Sequence, residues 1–140
     1  MSRFFVTYGG MISPLGTTIE EHAERLASGI SGVTIVEKSG FNQENWLLGK
    51  ILFATPENRF DYLLELLCER LIQQHGSSLF SSDKTLIVIS STKADIDGLP
   101  NDTFASTREI IQTKLAPKHS PIIISNACIS GVLAINTAAD

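Results

Sequence analysis

Pro121-Ile122-Ile123-Ile124-Ser125-Asn126-Ala127-Cys128-Ile129-Ser130-Gly131 is an apolar β-type run that leads directly into a cysteine and a glycine, and Val132-Leu133-Ala134-Ile135 follows. The pattern reads strand, sharp turn, helix. Cys128 then sits at the helix start, where the turn exposes the thiol and the field of the helix N-terminus favours its thiolate, the reactive form. The sequence stops at Asp140, about three turns into that helix and without a C-cap glycine. Such an ending points to expression design, a truncated reading frame or proteolysis.

Working outward, residues 85–90 (Thr-Leu-Ile-Val-Ile-Ser) form a second continuous apolar run without alternation, the pattern of a strand covered on both faces in a parallel sheet. Between the two runs lie a loop over residues 91–100 and a helix from Asn101 or Asp102 to Leu115, with Phe104, Thr107, Ile111 and Leu115 on one face. Residues 77–82 read as a polar connection. Before them Thr55-Pro56 offers an N-cap and a proline at the first helical position, and Phe60, Leu63, Leu64, Leu67, Leu71 and Ile72 repeat at helical spacing until Gly76. Cys68 lies beside this stripe and reads as an inert packed thiol.

Nearer the N-terminus, residues 3–8 read as a strand ending at Gly9-Gly10, and residues 11–16 as a loop. A helix follows, with Thr17 or Thr18 as N-cap, Glu20 or Glu21 completing a capping box, and Ile19, Ala23, Leu26, Ala27 and Ile30 on one face. Gly29 and Gly32 stop it. Residues 33–36 suit a short strand before the Ser39-Gly40 turn, and residues 46–54 read as extended. Alternating helices and fully apolar strands predict an α/β fold, layered α/β/α around a mainly parallel sheet.

A length of 140 residues with 43% hydrophobic and 19% charged side chains suits one soluble globular domain. The formal net charge is −4, from 11 Lys+Arg against 15 Asp+Glu, and neither sign gathers into a block. That argues against a nucleic-acid surface or a polybasic membrane segment. No apolar run approaches the ~20 residues of a membrane span, and the N-terminus lacks a signal-peptide core, so the expected compartment is cytoplasmic. The two cysteines, Cys68 and Cys128, have no metal-ligand spacing.

Cys128 is the candidate nucleophile for covalent catalysis, with small neighbours Ala127, Ser130 and Gly131 leaving room for substrate. The available bases are His22, His75 and His119. His22 falls among charged helix residues, His75 at a helix C-terminus, and His119 at the far end of the strand leading to Cys128. All three read as surface or capping histidines, and no triad assembles from them. The glycines fit neither GxGxxG nor a P-loop, and Asp95 and Asp97 read as turn formers rather than metal ligands.

Two segments together carry a family resemblance. Phe5-Val6-Thr7-Tyr8-Gly9-Gly10-Met11-Ile12-Ser13-Pro14-Leu15-Gly16, followed by a helix ending Leu26-Ala27-Ser28-Gly29-Ile30-Ser31-Gly32-Val33, resembles the opening of a β-ketoacyl synthase. Asn126-Ala127-Cys128-Ile129-Ser130-Gly131 resembles that family's active-site cysteine motif. The resemblance covers residues 1–140 as only about the first third of the family's length, cut within the active-site helix, hence part of a thiolase-like fold of two similar halves that normally forms a homodimer.

It implies that Cys128 accepts an acyl group from an acyl carrier protein or coenzyme A thioester, and that its backbone N–H is one oxyanion donor. A malonyl thioester then loses carbon dioxide and the carbanion attacks the acyl enzyme, in fatty acid or polyketide-type synthesis. No cofactor is implied beyond the phosphopantetheine or coenzyme A that carries the acyl group. The two histidines and the lysine that assist decarboxylation belong to the family's second half, so this stretch alone is expected to lack condensing activity. Residues 91–95 depart from the family's Gly-rich turn beside the acyl pocket. Half of such a fold also exposes apolar surface and is expected to associate. The competing readings are a non-catalytic acyl-carrier-binding or partner-docking subunit, and a cysteine hydrolase unrelated to this family.

Overall fold

The backbone of the first helix, α1 (Ile19–Ala27), is closed at both ends by its own sequence. Thr18 accepts the Glu21 N–H on its hydroxyl, and the Glu21 carboxylate returns to the Thr17 and Thr18 amides. This is the capping box expected from the sequence, with the choice settled on Thr18 and Glu21. At the other end Ile30 N–H donates to the Arg25 carbonyl and Gly29 N–H to the Leu26 carbonyl. Gly29 at φ 74° supplies the left-handed turn that this closure needs, so Ile30 falls outside the helix.

The computed structural model describes residues 5–6, 8–51, 59–94 and 99–139. The chain divides into two compact units, Met1–Thr55 and Pro56–Asp140. In the first, α1 is followed by β1 (Val33–Val36) and β2 (Trp46–Gly49), paired antiparallel with Ile35 opposite Leu47. The connection between them, residues 37–45, is shorter than the dozen or so residues a parallel crossover requires. Ser39 secures the loop by donating its hydroxyl to the Val36 carbonyl and accepting the Trp46 N–H.

Of the strand expected over residues 3–8, Phe5, Val6 and Tyr8 are described and belong to no strand, with Phe5 and Val6 exposed. Arg3, Phe4 and Thr7 lie outside the described residues, as do Leu52, Phe53 and Ala54 of the expected extended segment and the Thr55-Pro56 helix start.

The second unit runs α2 (Arg59–His75), α3 (Ser77–Phe80), β3 (Val88–Ser90), α4 (Ala105–Leu115), β4 (Ile122–Ile124) and, after a 3-10 turn at Ala127–Ile129, α5 (Ser130–Ala139). β3 and β4 pair in parallel, Ile89 opposite Ile123, so β3, α4 and β4 form one strand-helix-strand crossover. Among the described residues the fold is thus a mixture of α and β with one parallel and one antiparallel pair, each of two strands, where the sequence reading expected a mainly parallel sheet.

Two boundaries differ from the sequence reading for identifiable reasons. The connection at residues 77–82 contains α3, because Phe80 turns inward and is buried. Helix α4 begins at Ala105 because the Asp102 side chain accepts the Phe104 N–H and its carbonyl accepts the Ala105 N–H, forming a turn that competes with the helix. The core is the contact of α2 with α4: Cys68, Phe80, Ile110, Ile111 and Leu115 are buried, with Leu64, Leu71, Ile72, Ile87 and Ile89 packed around them. Each fully buried aliphatic chain contributes about 1.5–3 kcal/mol. On the rim Lys114 bridges Glu65 at 3.2 Å and Glu69 at 3.1 Å, which raises the lysine's pKa.

Candidate active site

The turn that presents Cys128 is built by three kinds of restraint. The parallel ladder ends at Ile124, whose carbonyl accepts the Ser91 N–H at 3.1 Å and so ties the end of β4 to the segment leaving β3. The chain then reverses through Ala127 in a left-handed conformation, φ 46°, a region uncommon for a residue with a β-carbon. Finally Ser130, 3% exposed, accepts the Asn126 N–H on its hydroxyl at 2.7 Å and donates that hydroxyl to the Ala127 carbonyl at 2.8 Å. A short polar side chain at the first position of α5 thereby satisfies one donor and one acceptor of the turn preceding it.

Cys128 is exposed, between β4 and α5. The expected address, at the end of an apolar strand and the head of a helix, is therefore where the residue stands. It lies in the 3-10 turn Ala127–Ile129, two residues before α5 begins at Ser130. Helix α5 packs against both β3 and β4, so the turn rests on the paired strands. Along α5 the side chains of Val132 (62% exposed) and Ile135 (71% exposed) face outward with Ile129, and the helix carries no charged residue.

Cys68 is the opposite case. It is 1% exposed, and burial pushes its thiol up to about 11, with Glu65 and Glu69 acting in the same direction and Lys114 against them. At neutral pH it is a protonated, packed thiol, as its place beside the α2 stripe indicates.

His22, expected as a surface or capping histidine, is 6% exposed and so belongs to the second kind. Its Nδ1 faces the Thr18 carbonyl, which can only accept, so Nδ1 carries the proton and Nε2 accepts from the Ser13 hydroxyl at 2.7 Å. Ser13 also accepts the Leu15 N–H, and its backbone exchanges two hydrogen bonds with Gly16, at 2.9 and 3.0 Å. The imidazole thus fastens the turn before α1 to the helix. His119 binds the Asp83 carbonyl at 2.8 Å, and His75 occupies the last turn of α2.

Ser130 is the functional-site residue that sequence reasoning undervalued, having treated it only as small. The available signal was its spacing: a serine four residues after Asn126 at the first turn of a helix can bond backward to the amide that leads into the turn. Asp95 and Asp97 lie outside the described residues. Among the described residues, no three His, Cys, Asp or Glu side chains gather as a metal site, and no helix is long and apolar enough to cross a membrane. No family model matches the chain, and no curated protein or solved structure matches it.

Proposed function

We propose that the chain carries the acyl-accepting cysteine of a β-ketoacyl synthase, within part of a thiolase-like fold. The observation that supports it most directly is the exposed Cys128 on a tight turn between β4 and α5. The sequence resemblance at residues 5–33 and 126–131 supplies the reaction class. In the step assigned to this residue, the Cys128 thiolate attacks the carbonyl carbon of an acyl thioester. The new bond joins Sγ to the acyl carbon, the donor's carbon–sulfur bond breaks, and the departing thiolate of coenzyme A or of a carrier-protein pantetheine takes up a proton. Ser130 keeps the turn in place while Sγ is loaded. Condensation with a malonyl unit requires proton handling and oxyanion donors that the resemblance assigns to the family's other half.

The test is acyl transfer itself. Incubated with a long-chain acyl coenzyme A, the 140-residue chain should gain one acyl group, located by peptide mass spectrometry on Cys128 and absent from Cys128→Ala. Loading no faster than that of an unstructured peptide spanning residues 121–135 would remove the proposal. Condensing activity is a separate readout, expected to be undetectable for this chain alone.

A further inference from the structure

We draw no further inference here: the strongest candidate, the Ser13–His22 side-chain pair in the turn before α1, makes the contact of a nucleophile with its base, but apart from Pro14 every amide N–H from Ser13 to Thr18 is already bonded locally, which leaves no donor for a substrate oxyanion.

Discussion

Two cysteines in one chain occupy opposite chemical environments, and that contrast is the most direct test of the site. With Cys68 buried and held protonated up to about 11, and Cys128 exposed, iodoacetamide at neutral pH should alkylate the native protein once, at Cys128. A second alkyl group, on Cys68, should appear only in denaturant. Labelling of Cys68 at a comparable rate in buffer would show that the core between α2 and α4 is not formed as described.

Ser130 gives the second residue-scale prediction. Its hydroxyl satisfies the Asn126 amide and also bonds the Ala127 carbonyl, which keeps the Ser130 backbone N–H, so Ser130→Ala leaves the Asn126 amide of a partly buried turn without its partner. The expected cost is about 1–3 kcal/mol in urea denaturation. Iodoacetamide labelling of Cys128 should persist, because the variant leaves the thiol in place. An unchanged urea midpoint would show that water replaces the hydroxyl at no cost.

Among the elements, α1 is the clearest case of structure written locally. Thr18 and Glu21 are three residues apart and close the box between themselves, so the sequence placed the helix start to within one residue, Thr17 or Thr18. Thr18→Ala should cost about 1 kcal/mol of stability in the first unit, typical for loss of an N-cap, with Thr18→Ser nearly neutral. Circular dichroism during denaturant titration would check it, and equal loss for both variants would mean that the hydroxyl is not the capping group.

The elements that the sequence did not disclose depend on distant partners. α3 has only the four residues Ser77–Phe80, too few for any periodicity, and exists because Phe80 reaches a core made by α2 and α4. The burial of His22 was not disclosed for the same reason, since it follows from a bond to Ser13, nine residues earlier in a turn. Strand pairing was half legible: the apolar runs without alternation at 85–90 and 122–124 pointed to parallel pairing, which β3 and β4 have, whereas the antiparallel pairing of β1 and β2 across the short 37–45 connection was not foreseen, nor that each ladder has two strands. The Cys128 turn was legible as a place but not as a set of bonds.

On the scale of the whole molecule the two units differ in what holds them. The second has a continuous apolar core, Cys68, Phe80, Ile110, Ile111 and Leu115. Among the described residues of the first, no large apolar side chain is buried: Ile19, Leu26, Ile35 and Leu47 are all exposed, and the buried polar residue is His22. Caps, turns and a two-stranded hairpin hold the first unit, and a lone hairpin is only marginally stable in water.

Heat should therefore take the molecule apart unevenly. Residues 59–139 should absorb heat in one cooperative peak, as a packed core does. The hairpin and α1 should lose their signals over a broad range at lower temperature. Calorimetry run beside a nuclear magnetic resonance temperature series would separate the two, and coincident, equally sharp losses in both units would contradict it. For this protein a single Tm would describe only the unit that carries Cys128.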